Sequence, residues 1–185
     1  MRSTHVVALL LAAMLVQVPV SFGAATAPVD PSVANLSKLS GHAFDVAYLQ
    51  SVIPVDDESV EMAMTATLYA DHPDLLHWNQ NYTERAHDQI QKMVGLLDEL
   101  GAQPSRRNEG VATAPVKKLR TLRGAALERT YIALMTQHLD RTVAMSKLAA
   151  QRADRPEMRA FAANVAAADG KDASTLRSWM TAWYH

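Results

Sequence analysis

The sequence predicts an all-α protein, a four-helix bundle built from two tandem helical hairpins. Apolar residues recur at three- and four-residue spacing along four long stretches of the chain. The segments Asp71-His72-Pro73-Asp74 and Asp154-Arg155-Pro156-Glu157 each combine a capping residue, a proline in the first turn and an acid, which is typical of a helix start. At 185 residues and 49% hydrophobic content, the chain can bury one sizeable core.

The N-terminus is predicted to be an export signal, covering residues 1–23. Arg2 precedes an apolar run over residues 6–16, and small residues such as Gly23 follow. Because the run is well short of the roughly 20 residues that span a bilayer, we expect cleavage and no stable membrane insertion. We therefore expect a periplasmic or secreted protein with a flexible lead over residues 24–41. The chain has no cysteine, which excludes disulfides and thiolate metal sites.

Hairpin one is predicted over residues 42–100, followed by a linker over residues 101–118. Its first helix is expected to run to about Ala70, and Pro54 is expected to kink it or break it in two. Its second helix begins at the restart near Pro73 and is closed by Gly101. The inward stripe of the first helix comprises Phe44, Tyr48, Val52, Val55, Met62, Ala66 and Tyr69.

Hairpin two is predicted over residues 119–184, with its turn near Asp154. The inward stripe of its first helix comprises Leu127, Tyr131, Met135, His138, Thr142, Met145 and Ala149. On its second helix, Asp172 lies among apolar residues. A carboxylate there is costly unless it is paired, hydrogen-bonded or bound to metal.

The second hairpin repeats the first with a shift of 83 residues, which superposes Tyr48 on Tyr131 and Met62 on Met145. One hairpin cannot bury its own apolar stripe, so the two are expected to pack together. Residues equidistant from an antiparallel turn face each other, and this places His138 level with residue 170, between Asp169 and Asp172.

The equivalent level of hairpin one contains Asp56 on the first helix and residues 86–89 on the second. Both polar positions fall at mid-height of their hairpins. We therefore expect one polar layer in the middle of the bundle.

Charge is divided unevenly along the chain. Residues 24–100 hold 12 acids and 3 bases, a net of −9, whereas residues 101–185 hold 7 acids and 14 bases, a net of +7. Opposite signs attract, so we interpret this as complementarity between two packed halves, or between subunits of a homo-oligomer. A nucleic-acid partner is not expected, because the whole chain is close to neutral.

Several segments resemble one exported bacterial family, the domain-of-unknown-function family DUF305. The segments are FDVAYLQSVIP followed by VEMA, LERTYIALMTQH followed by VAMSKLA, ADRPEMRAFAANV, and the ending WMTAWY. The resemblance covers about residues 42–184 and implies a ferritin-like bundle of tandem hairpins. It also implies copper or silver handling in the periplasm, as in some members of that family.

The family pattern has two adjacent histidines, with methionines around them. Here the first histidine pair is replaced by Val55-Asp56, and the second is His138-Leu139 with Met135 and Met145 retained. Asp169 and Asp172 stand where the family has glutamine and glutamate.

Two ligand sets follow for the candidate site. His138 with Met135 and Met145 suits Cu(I) or Ag(I), whereas His138 with Asp169, Asp172 and Asp56 suits Zn(II), Cu(II) or another borderline ion. Copper or silver is expected ahead of zinc as the bound metal. The alternative is a non-enzymatic structural or interaction bundle with a degenerate site, in which His138 simply hydrogen-bonds to Asp172 or Gln89.

An enzymatic role is not expected. Glu84 and His87 form one Glu-x-x-His pair of the kind found in di-iron bundles, but a shift of 83 residues gives Ala167 and Gly170 instead. No nucleophile, base and orienting group can be assembled from the remaining residues.

Overall fold

The computed structural model describes residues 30–105 and 111–184. Helices are the only regular elements in this part of the chain, which confirms the predicted all-α class. They are α1 Pro31–Leu36, α2 Gly41–Thr67, α3 Pro73–Glu99, α4 Ala114–Arg120, α5 Gly124–Arg152 and α6 Pro156–Trp183. None of these helices combines the length and apolar character needed to cross a membrane. The predicted signal peptide lies outside the described residues.

The four long helices begin at positions that reproduce the 83-residue shift. Gly41 and Gly124 start α2 and α5, and Pro73 and Pro156 start α3 and α6. Both glycines have positive φ, +57° and +52°, a conformation that costs little only without a Cβ. A glycine with positive φ therefore begins the first helix of each hairpin.

Three local expectations need correction. Helix α1 lies within the predicted flexible lead, and its start is capped by Asp30, whose carboxylate accepts a hydrogen bond from the backbone N–H of Ser32 at 2.8 Å. Helix α4 begins inside the predicted linker. Pro54 does not break α2 in two, since the helix continues through it, with the adjacent Val52 and Ile53 buried in the core.

The core consists of two apolar clusters stacked along the bundle. The first combines the start of α2, the end of α3, the end of α5 and the start of α6, and includes Phe44, Tyr48, Leu49, Val52, Met93, Leu97, Met145, Met158 and Val165. The second combines the opposite ends of the same helices with α4, and includes Met62, Leu75, Tyr82, Val116, Leu119, Tyr131, Met135, Leu139 and Leu176. Each cluster uses both hairpins, so neither hairpin has a core of its own.

Two buried carboxylates tie the hairpins together reciprocally. Asp45 on α2 accepts hydrogen bonds from two backbone N–H groups in the turn before α6, at 2.9 and 3.3 Å. Glu128 on α5, its equivalent by the 83-residue shift, accepts two from the turn before α3, at 2.6 and 2.9 Å. A carboxylate on the first helix of each hairpin thus accepts hydrogen bonds from backbone N–H groups in the turn of the other hairpin, which have no partner within their own helix.

Stacked aromatic rings fill the seam between α3 and α6. Trp78 stacks on Tyr82 with ring centroids 4.9 Å apart, and Trp179 stacks on Trp183 at the same spacing. Trp78 meets Trp179 edge to face at 6.4 Å, so the rings form one continuous row. His72 extends the row by stacking on Trp183 at 4.1 Å.

Candidate metal centre

A layer of buried polar side chains separates the two apolar clusters, as the sequence predicts. It combines residues from α2, α5 and α6, namely Asp56, Ser59, His138, Thr142, Asp169 and Asp172. These side chains belong to the stretches where the apolar stripes of the three helices are interrupted. The layer is therefore the candidate site.

His138 occupies this layer with an exposed fraction of 7%. Its Nε2 lies 3.1 Å from a carboxylate oxygen of Glu58, whereas its Nδ1 is buried and has no hydrogen-bond partner among the described residues. Burial lowers the pKa of His138. The Glu58 carboxylate opposes this shift, the charge of Arg141 adds to it, and the backbone carbonyl of Val55 opposes it. A neutral ring with its proton on Nε2, the nitrogen near the Glu58 carboxylate, has its lone pair on the buried Nδ1.

The two candidate thioethers lie on opposite sides of the layer. Met135 and Met145 are both completely buried. Met135 belongs to the second apolar cluster and Met145 to the first. Met135 is one helical turn before His138 on the same face of α5, whereas Met145 is two turns beyond it.

Asp56 is anchored in the layer by neutral donors. It accepts a hydrogen bond from Gln89 Nε2 at 2.6 Å and a longer one from Thr142 Oγ1 at 3.4 Å. Burial raises the pKa of Asp56 to about 7, although both hydrogen bonds and the charge of Arg85 oppose the shift. This carboxyl group therefore titrates near neutral pH.

Asp169 and Asp172 differ in their partners. Asp172 accepts a hydrogen bond from Trp78 Nε1 at 3.1 Å and pairs with the guanidinium of Arg85. Asp169 is 3% exposed and forms no hydrogen bond or ion pair with the described residues. Burial raises its pKa to about 8, and the nearby charge of Asp56 adds to this shift.

The predicted network around His138 needs correction. Its partner is Glu58, while Gln89 binds Asp56 and Asp172 binds Arg85. Within residues 30–105 and 111–184, no three His, Asp or Glu side chains converge as metal ligands, so the set of His138, Asp169, Asp172 and Asp56 is not assembled. Distance from a hairpin turn fixes the height of a side chain along the bundle, but not the direction in which it points.

Glu58 and Arg85 are the two residues that sequence reasoning missed. Val55, Glu58 and Met62 follow three-and-four spacing, so Glu58 lies near the inward stripe of α2. Arg85 precedes Gln89 by four residues and shares its face of α3. These spacings could have pointed to both residues.

Fold and site together define a helical protein of two mutually capped hairpins with a buried imidazole and carboxylate layer. Residues 98–180 match the model of the family DUF305, a domain of unknown function. This match covers most of the second half of the chain and confirms the resemblance inferred from the sequence. Among curated proteins, none is significantly similar to this chain.

Solved structures with the same fold include a copper-bound protein. CopM in the Cu(I)-bound form is 20% identical, with a TM-score of 0.68 over 76% of this chain and 98% of that chain. A DUF305 protein from Streptomyces coelicolor is 22% identical, with a TM-score of 0.65 over 74% of this chain and 91% of that chain. A DUF305 fragment from Deinococcus radiodurans is 18% identical, with a TM-score of 0.67 over 74% and 95%. At these identities the similarity establishes the fold.

Proposed function

We propose that the protein binds a soft monovalent metal ion, Cu(I) or Ag(I), through His138, and that it serves in metal handling outside the cytoplasm. The observation that carries the proposal is the buried Nδ1 of His138, which has no hydrogen-bond partner in the described structure. Leaving a buried polar atom unsatisfied costs about 1–3 kcal/mol, and a metal ion would remove that cost.

The contact with Glu58 prepares the ring for this role. Metal-binding histidines commonly donate their second ring N–H to a carboxylate, which fixes the tautomer and increases the basicity of the ligating nitrogen. Glu58 stands in this position, with its oxygen 3.1 Å from His138 Nε2. The lowered pKa of His138 also favours the neutral form that metal binding requires.

A thioether completes the soft ligand set. Met135 is the better placed of the two candidates, because it precedes His138 by one turn on the same face, while Met145 lies in the other apolar cluster. Thioether and imidazole together select soft ions over hard ones. Asp56, Asp169 and Asp172 set the electrostatics of the layer in this proposal and do not bind the ion.

Proteins with the same fold support the general class of function proposed here, which is binding of copper or silver outside the cytoplasm. CopM, which shares the fold, has been solved in Cu(I)-, Cu(II)- and Ag-bound forms. The DUF305 protein from Streptomyces coelicolor is described as secreted. The export signal predicted from residues 1–23 would deliver this chain to the same kind of compartment.

Anaerobic titration with Cu(I) and Ag(I) tests the site. We expect His138→Ala to lose one equivalent of bound ion, and Glu58→Gln to keep the site but weaken it about tenfold, because glutamine is a poorer acceptor for the ring N–H. The exposed His42 on α2 provides a matched control, and His42→Ala should bind as the unmodified protein does. Unchanged affinity and stoichiometry in His138→Ala would instead favour a purely structural polar layer.

A further inference from the structure

A shallow groove surrounds Met64 on α2. Two of its depressions, of about 670 and 560 Å³, lie between α2 and α3, and a third, of about 370 Å³, lies between the end of α2 and Arg120 of α4. The Met64 side chain is 58% exposed. We refer to this surface as the Met64 groove.

The groove carries imidazoles as well as a thioether. His77 lines the largest depression, and Glu84, His87 and Asp88 line the second together with Met64. His77 Nε2 lies 3.1 Å from the side-chain amide nitrogen of Asn81. His87 is exposed and forms no hydrogen bond or ion pair with any described residue.

Spacing keeps these donors on one face of α3. His77, Glu84 and His87 follow each other at intervals of seven and three residues, which brings them to the same side of the helix. Met64 on α2 lines the same depression as Glu84 and His87. The thioether, the imidazole of His87 and the carboxylate of Glu84 therefore border one cavity.

The duplicated hairpin provides an internal comparison. A shift of 83 residues replaces Met64, His77, Glu84 and His87 by Lys147, Ala160, Ala167 and Gly170. The second hairpin forms the same pair of helices without any of these donors, so hairpin packing does not require them. An exposed methionine also fills no gap in the core, which is the usual reason for a methionine in a bundle.

The donor types match one class of ligand. Thioether and imidazole bind soft monovalent ions, which accept two or three ligands, whereas Zn(II) generally needs four. A carboxylate three residues before His87 offsets the positive charge of the ion. Hard cations are not favoured, because no three His, Asp or Glu side chains of the described residues converge.

We propose that the Met64 groove is an exposed binding site for a soft monovalent cation, held by the thioether of Met64 and the imidazole of His87. The site is separate from His138 and does not depend on metal binding there. It is open to solvent, whereas His138 is buried, so the two sites differ in access as well as in ligands.

Calorimetric titration with Ag(I), with free imidazole as competitor, tests this site. In a His138→Ala background we expect one equivalent to remain, and adding Met64→Leu or His87→Ala should weaken its binding at least tenfold. Leucine keeps the size of methionine and both positions are exposed, so the variants should fold normally, as circular dichroism would verify. Met180→Leu on α6, which replaces a half-buried methionine, should leave Ag(I) binding unchanged.

Nuclear magnetic resonance gives a second readout. The methyl resonance of Met64, assigned from its disappearance in Met64→Leu, should shift on addition of one equivalent of Ag(I), and the His87 ring resonances should shift with it. Unchanged binding in both groove variants, with no movement of the Met64 methyl resonance, would overturn the groove site whatever happens at His138. Loss of binding in the groove variants but not in His138→Ala would support the groove and contradict the function proposed for His138.

Discussion

At the residue scale, environment decides what each polar side chain of the central layer does. The stripe on α5 identified His138 as an inward residue, and its burial was predictable from spacing alone. Its partner was not predictable, because Glu58 on α2 lies at a height similar to that of Asp169 and Asp172 on α6. Only the rotation of each helix about its own axis selects Glu58 for His138 and Arg85 for Asp172.

Asp169→Asn should stabilise the protein increasingly as pH rises. Asp169 ionises near 3.8 in an exposed setting, but burial raises its pKa to about 8 in the folded protein. Between those values the folded state binds more protons than the unfolded state, so stability falls as pH rises. We expect the advantage of the variant in urea unfolding to grow by about 2 kcal/mol from about pH 5 to pH 8.5.

Asp140→Asn serves as its control. Asp140 is exposed and pairs with Arg177 on the surface, so its substitution should change the free energy of unfolding by less than about 1 kcal/mol. An equal gain for Asp169→Asn at every pH would show that its carboxyl group does not titrate as described.

Asp172→Leu should destabilise the protein. From the sequence, the sign depends on whether the carboxylate has a partner, because leucine relieves a cost only where it has none. The structure provides the partners, because Asp172 pairs with Arg85 and accepts a hydrogen bond from Trp78 Nε1. Since Arg85 is 40% exposed and can recover water, we expect a loss of only about 1 kcal/mol in urea unfolding.

The double variant Arg85→Met with Asp172→Leu tests the origin of that loss. Removing both charged partners should recover most of the stability, because no group is left unpaired. A single Asp172→Leu variant more stable than the unmodified protein would contradict the pairing.

At the element scale, the helix starts were predictable and the small helices were not. Pro73 and Pro156 mark their helices because a proline in the first turn has no N–H to leave unsatisfied. Helices α1 and α4 are too short to show apolar periodicity, so packing determines them. Leu36 joins the first apolar cluster, and Val116 and Leu119 join the second.

Glu128→Gln should destabilise the protein near neutral pH and lose that effect in acid. Burial acts to raise the pKa of Glu128, but hydrogen bonds from Tyr184, His72 and Asp71 outweigh it and hold the pKa below the ordinary 4.5. A lowered pKa contributes stability above about 4.5, which disappears as pH falls through the folded value.

For Glu128→Gln, we expect thermal unfolding at pH 7 to show a free energy of unfolding about 2 kcal/mol lower, since a charged acceptor of backbone N–H groups is replaced by a neutral one. The equivalent variant Asp45→Asn should also be destabilised, because Asp45 satisfies the matching turn. Stability unaffected by either change would argue against reciprocal capping.

At the scale of the whole molecule, the acidic first half of the chain forms ion pairs with the basic second half. Arg120 pairs with Glu61 at 3.2 Å, and Arg155 pairs with Glu99 at 3.1 Å. Arg141 pairs with Asp30 at 3.0 Å. Each of these pairs joins a base of the second half to an acid of the first, which is the intramolecular form of the complementarity predicted from the sequence.

Salt should therefore lower stability without changing molar mass. The attraction within exposed ion pairs weakens progressively as added salt shortens the Debye length, so we expect the free energy of unfolding to drop by about 1 kcal/mol between about 0.05 and 0.5 M ionic strength. Urea unfolding measures the first quantity and light scattering the second. A molar mass that decreases with salt would mean that the charges act between copies of the chain.

The sequence by itself determined the helical class, the duplication, the starts of the long helices and the height of the polar layer. All of these follow from periodicity and local backbone chemistry, which are properties of short segments. The tertiary structure alone decided that Glu58 meets His138, that Arg85 holds Asp172 and that Asp45 and Glu128 cap opposite hairpins. Each of these contacts joins residues far apart in the chain, and the direction of a side chain around its helix depends on the packing of the whole bundle.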